Sequence, residues 1–303
     1  MISFRFHLVS IVSVFLALAL GVLVGTTVVN QGVLADLRNR TNSAVERAND
    51  LKKQVGELQG QLKDWDNFAT SVEPILVEGQ LTGTEVVLVT QEGVNAADLE
   101  SVRRTLQDAG GKVVAELVIT KRMALTDLIA RSDLAELVGS SPSTDPVGLA
   151  EAAAERLAAR LIAGPGSPDA DLLDRLRTAG FLIIRGGGTP QDIGATFQSV
   201  VLLAGGRDPP VLDPAVFLQP LAASLVESSR PVVAAETTET ASSLVSLIRD
   251  DGTMDGHLVT VDNVDQIPGR VAIVFGLRDL LASPGKGGDY GVKDGASGIL
   301  PKP

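Results

Sequence analysis

Apolar and polar positions change rhythm twice along this chain. From Leu8 to Val29 nearly every residue is Leu, Val, Ile, Ala, Phe or Gly, and no charge occurs between Arg5 and Asp36. As a helix that run would measure roughly 33 Å, against about 30 Å of bilayer hydrocarbon. Three readings compete: a membrane anchor, a cleaved signal and a buried core helix. Ala17-Leu18-Ala19 resembles a signal cleavage site. However, the apolar run continues through Gly21-Val-Leu-Val-Gly25, where a mature N-terminus turns polar. The pattern therefore predicts an anchor over residues 1–29, with Leu8, Phe15, Leu20 and Val24 among its lipid-facing positions. Ser10, Ser13, Thr26 and Thr27 can bond back to helix carbonyls. Arg5 on one side nearly balances Arg38 and Arg40 on the other, so charge alone leaves orientation close to a tie. The short N-terminal flank and large following domain favour a cytoplasmic N-terminus with the bulk of the chain outside.

The second rhythm is a heptad. Across residues 34–68 the a positions are Leu34, Thr41, Ala48, Val55 and Leu62, and the d positions are Leu37, Ala44, Leu51, Leu58 and Trp65. The 3-4 spacing is unbroken over the five heptads, which predicts a coiled-coil helix of about 50 Å over residues 30–68. Leu37, Leu51, Val55, Leu58, Leu62 and Trp65 are its candidate partner-binding residues. Arg38, Arg40, Arg47 and Lys52 flank the seam, with few acids opposite. A parallel homodimer would bring like charges together there, and an acidic partner helix fits better. Packing of one long amphipathic helix on its own domain is the plainer alternative.

From Ala69 the rhythm becomes that of an α/β domain, predicted over residues 69–282. Strand-like runs occur at Glu85-Val-Val-Leu-Val-Thr90, 112–119, 181–184, 199–203, 232–235, 258–261 and Val271-Ala-Ile-Val-Phe275. Several are solid apolar runs, as in a sheet covered on both faces. Helix-like segments lie at 95–109, 125–138, 147–163, 168–179, 214–228 and 240–250. Asn95 suits an N-cap, and Gly110 and Gly180 suit helix ends. The predicted fold class is α/β: an N-terminal transmembrane helix, a coiled-coil helix, then a mainly parallel α/β domain. The helical stretch 125–179, broken at Ser140–Thr144 and Gly164–Pro168, reads as a cap or insertion. Residues 283–303 are glycine-rich, end in Pro-Lys-Pro and read as a flexible tail.

Composition narrows the chemistry. The formal net charge of −11 argues against a nucleic-acid partner. With no cysteine, there is neither a disulfide staple nor a thiolate for metal or catalysis. Scarce aromatics argue against a membrane β-barrel. Two glycine-rich turns, Arg185-Gly-Gly-Gly-Thr-Pro190 and Ala204-Gly-Gly-Arg-Asp208, follow strands, but neither matches a phosphate-binding fingerprint. They read as structural turns. Acids occur at Asp250-Asp251 and at Asp262 with Asp265, and nothing in the sequence brings them together. Met254 and His257 pair a thioether with an imidazole, ligand types that suit copper, although two ligands do not make a site. No nucleophile elbow or metal-spaced histidine cluster is present, so no catalytic residue is assigned and no enzyme is predicted.

Met1-Ile-Ser-Phe-Arg-Phe-His7 with Val14-Phe-Leu-Ala-Leu-Ala-Leu-Gly21 resembles the N-terminus of the actinobacterial MctB family. Thr260-Val-Asp-Asn-Val-Asp-Gln-Ile-Pro-Gly-Arg270, Leu277-Arg-Asp-Leu-Leu281, Tyr290-Gly291 and Gly295-Ala296 resemble the same family's C-terminal part. The resemblance implies a cell-envelope protein acting in copper efflux or homeostasis, with copper as the metal handled. It also implies an outer-membrane location, since members have been described as channel-forming there. A related corynebacterial reading, SteB, implies a scaffold that partners a protein called SteA in cell separation. One transmembrane helix cannot enclose a pore without oligomerising, and three Met, two His and no Cys are few soft ligands for a copper carrier.

Overall fold

The computed structural model describes residues 4–141, 145–167, 169–194, 197–206 and 212–302. Of the features noted above, Met1-Ile-Ser3 of the N-terminal stretch, the break at 142–144, Pro168, the Arg207-Asp208 end of the second glycine turn and the final Pro303 lie outside them. The side chains of residues 26–34, including those of Leu34, Thr26 and Thr27, are also outside the description. The chain divides into two compact units, Met1–Phe68 and Ala69–Pro303.

The described part of the first unit, residues 4–68, belongs to helix α1, Phe4–Val77. Its apolar stretch Phe4–Gly25 is long enough to cross a bilayer, and its described side chains are exposed. Ser13 donates its hydroxyl to the Val9 carbonyl at 2.8 Å, so its polar group is satisfied within the helix. The heptad region continues the same helix without a break.

The second unit is built on seven strands: β1 Glu85–Gln91, β2 Lys112–Ile119, β3 Leu182–Arg185, β4 Ser199–Leu203, β5 Val232–Ala235, β6 Val259–Val261 and β7 Gly288–Tyr290. Their spatial order is β3-β2-β1-β4-β5-β6-β7. Every pairing is parallel except β2 with the edge strand β3, which run antiparallel. The remaining helices are α2 Ala96–Asp108, α3 Leu128–Val138, α4 Pro146–Ala163, α5 Leu172–Thr178, α6 Leu218–Glu227, α7 Leu244–Asp251 and α8 Ile267–Ala282.

The solid apolar strands are explained by two separate cores. Val87, Val89, Val200, Leu202, Val232 and Ala234 face one core, shared with α3 to α7. Val86, Leu88, Val201, Leu203, Val233 and Ala235 face the other, shared with the end of α1, α2 and α8. Side chains alternate between the faces and both faces are covered, so neither set of positions can be polar. Helices α3 to α5 are therefore one layer of the domain, where the sequence suggested a cap or insertion.

Two elements differ from expectation. Val271–Phe275, read as a strand, lies inside helix α8. Val271, Ala272, Ile273 and Val274 are all buried, and a helix that is apolar nearly all round belongs in a core. A Cβ at Gly276 would lie 2.7 Å from the Val259 side chain, so this helix packs tightly on β6. The glycine-rich end, expected to be flexible, instead contributes β7, which pairs with β6 from Val259↔Gly288 to Val261↔Tyr290.

Candidate functional site

The strand order reverses between β1 and β4, because the chain leaves β1 toward β2 on one side and enters β4 on the other. In such sheets ligands bind outside the carboxyl ends of the strands at this switch point. A cleft of about 680 Å³ lies there, lined by Gly93, Asn95 and Asp98, by Gly206, by Thr237, Thr238 and Glu239, and by Asp265 and Gln266. Four loops thus converge on it, one after each of β1, β4, β5 and β6.

Local structure fixes several of these groups. Asn95 caps α2, its side-chain oxygen accepting from the Ala97 amide at 2.8 Å. Asp265 Oδ1 accepts from the Thr238 amide at 2.7 Å and its hydroxyl at 2.9 Å, tying the β5 and β6 loops together. Gly205 has φ +142°, and a Cβ there would lie 2.7 Å from the Thr237 hydroxyl, so the two loops approach too closely for a side chain. Burial, and then the nearby charge of Asp265, raise the Asp98 carboxyl above its ordinary value, while Arg270 pulls it the other way.

The two glycine-rich turns separate in space. Gly206 lines the cleft, whereas Arg185–Pro190 follows the antiparallel strand and so leaves from the opposite end of the sheet. Gly188 donates its amide to the Val114 carbonyl at 3.2 Å, and that turn packs on β2.

Beside the cleft, buried charges hold the end of the chain to the sheet. Asp262 is fully buried at the carboxyl end of β6 and pairs with Arg249 at 2.8 Å. It also accepts from the Val292 and Lys293 amides. Glu236, equally buried, accepts from Lys293 Nζ at 2.6 Å, Ser243 Oγ at 2.7 Å and the Val245 amide at 3.1 Å. A Cβ at Gly291, whose φ is +135°, would overlap the Asp262 carboxylate. On α8, Arg270 grips Glu73 near the end of α1, and a Cβ at Gly269 would overlap the Asn263 carbonyl. The stretches 260–270, Tyr290-Gly291 and Gly295-Ala296, which carry the resemblance at this end, thus sit among packing and latching contacts.

The sequence-derived candidates fall in three places. Leu37, Leu51, Val55, Leu58, Leu62 and Trp65 are 51–69% exposed along α1, which leaves the heptad stripe uncovered. Leu8, Phe15, Leu20 and Val24 are likewise exposed on the apolar segment. Met254 is 3% exposed within the core shared by α3 to α7, while His257 is exposed. The two are joined by a backbone hydrogen bond, His257 amide to Met254 carbonyl, at 3.0 Å. Among the described residues, no group of three or more His, Cys, Asp or Glu is placed to hold a metal ion. The cleft residues Asp98, Thr237 and Thr238 carried no signal of their own. The one available cue was that polar residues follow directly on the apolar strands β1, β5 and β6.

These features define a class: a doubly wound α/β module in a chain that begins with a long, apolar and then heptad-patterned helix. The chain belongs to the MctB family, described as copper transport outer membrane protein, whose sequence profile matches residues 1–301. It is 29% identical over 317 residues to proteins named copper transporter MctB from Mycobacterium bovis and Mycobacterium tuberculosis H37Rv, covering 99% of each chain. The Mycobacterium leprae protein of that name is 29% identical over 316 residues, again with 99% coverage of both.

Proposed function

We propose that this is a single-pass cell-envelope protein acting in copper efflux or homeostasis. Its N-terminus is cytoplasmic, its α/β module lies outside, and its contribution is assembly rather than catalysis. The observation that carries this reading is the unbroken α1, which passes from an exposed apolar segment of bilayer length into an exposed heptad stripe. Exposed apolar surface of that size calls for lipid in one stretch and a helical partner, self or foreign, in the other. The copper role comes from the family and its named relatives.

The same stripe would serve a coiled-coil scaffold in cell separation, so the test must read both outcomes. In cells lacking the gene, the wild-type chain should restore copper tolerance and lower cell-associated copper. A chain carrying Leu51→Asp and Leu58→Asp should restore neither while still reaching the membrane. Restored cell separation with unchanged copper content would overturn the copper reading.

A further inference from the structure

A second cleft, of about 670 Å³, lies where α8 ends, lined by its last turns, the turn 283–287, β7 and the terminal segment 297–302. That is the size of a small-molecule site. In a chain of net charge −11, this cleft reverses the local sign. Among the described residues its lining carries three cations, Arg278, Lys286 and Lys302, and one carboxylate, Asp279. Asp279 is already engaged: Arg278 Nε donates to its Oδ1 at 2.8 Å. The same guanidinium donates through Nη1 to Gln80 Oε1 at 3.1 Å and lies 4.9 Å from the centre of the Phe275 ring. The ammonium groups of Lys286 and Lys302 have no such partner among the described residues, so two positive charges at the cleft stand uncompensated.

Tyr290 supplies a third free donor, since its hydroxyl is also without a hydrogen-bond partner among the described residues. Gly288 and Tyr290 share one face of β7. A Cβ at Gly288 would lie 2.5 Å from the Tyr290 hydroxyl, so the glycine keeps the phenol's place open. Burial, and then the charges of Asp279 and Asp289, raise the phenol above its ordinary value of 10.0, which keeps it a donor at neutral pH. Two ammonium charges and a phenol donor match an anion with more than one charge and several acceptor oxygens. A phosphomonoester brings about 1.5–2 negative charges and three such oxygens. A carboxylate brings a single charge and fewer oxygens. Lysine suits phosphate as a compact point charge. Ser283 and Ser297 add hydroxyl-bearing side chains that suit a hydroxylated skeleton beyond the phosphate.

The structure assigns this cleft to a phosphomonoester of a small polyol, free or as a lipid headgroup, with its phosphate held by Lys286, Lys302 and Tyr290. The test is calorimetric titration of the full chain in detergent with glucose 6-phosphate, dihexanoyl phosphatidic acid, glucose, glucuronate, dihexanoyl phosphatidylcholine and inorganic phosphate. Glucose 6-phosphate or the phosphatidic acid should bind at least tenfold more tightly than the four other probes, and which of the two prevails distinguishes the sources. Lys286→Met with Lys302→Met should weaken that binding at least tenfold, and Tyr290→Phe at least threefold, each with an unchanged thermal midpoint. The exposed lysines keep the test open should the tyrosine variant fail to fold. Absence of binding by both esters, equal binding of glucuronate or inorganic phosphate, or indifference to the lysine substitutions would overturn the assignment.

Discussion

Arg270, in the first turns of the last helix, holds Glu73, near the end of the first, through two parallel hydrogen bonds: Nε to Oε1 at 2.8 Å and Nη2 to Oε2 at 2.9 Å. Thr105 on α2 adds a third bond to Glu73 Oε1 at 2.6 Å. This arrangement fastens residues 69–77 of α1 to the α2–α8 face of the sheet. Forked guanidinium–carboxylate pairing is the strongest common form of side-chain hydrogen bonding. Removing one partner leaves the other buried and uncompensated. Glu73→Ala or Arg270→Ala should each destabilise the domain by about 3 kcal/mol, measured by denaturant unfolding.

The same pair sets a pH dependence. Burial alone would raise the Glu73 carboxyl, but hydrogen bonds from Arg270 and Thr105 and the charges of Arg270 and Arg104 outweigh it, leaving it below its ordinary value of 4.5. A carboxylate depressed in the folded state contributes stability that is fully present above its unfolded value and is lost as pH falls through the folded one. The domain should therefore lose stability below about pH 4.5, and Glu73→Gln should flatten that part of the profile.

Gly291 turns where the chain end meets Asp262, with a φ closed to most side chains. Gly291→Ala should cost upwards of about 3 kcal/mol or release the chain end from the sheet. In the released case trypsin should cut after Lys293, which in the parent is bonded to Glu236 and protected. A variant as stable and as resistant as the parent would show that this latch is dispensable.

The apolar stretch tolerates no central charge if it lies in lipid. Arg at Leu16 and Leu20 should cost about 2.5–3.5 kcal/mol each on insertion. The double variant should then wash from membranes with alkaline carbonate, while the parent stays.

Met254 is a core residue by its burial. Met254→Leu should change stability by less than about 1.5 kcal/mol, and Met254→Ala should cost about 2–5 kcal/mol. If copper bound to the purified chain weakens on Met254→Leu with unchanged stability, the thioether serves the metal after all.

Much of this protein could be read from its amino acids alone, and the reason is periodicity. The 22-residue uncharged run Leu8–Val29, the heptads of 34–68 and the apolar strands at 85–90, 199–203 and 232–235 each announce themselves locally, because their surroundings repeat along the chain. Asn95 and Gly110 mark the ends of α2 for the same reason: capping is a contact among near neighbours. The resemblance at both termini likewise needed only short stretches.

Tertiary structure decided what local pattern leaves open. Val271–Phe275 could be strand or helix, since a β-branched apolar run suits either when fully buried; packing against Val259 settles it as α8. Gly288–Tyr290 has no periodicity of its own and becomes a strand through pairing with β6. Of two similar glycine turns, only Ala204-Gly-Gly206 reaches the switch point, because β3 runs antiparallel and carries the other turn to the far end. Asp98 and Asp265, separated by 167 residues, meet in one cleft through the strand order, a relation that no local stretch of sequence encodes.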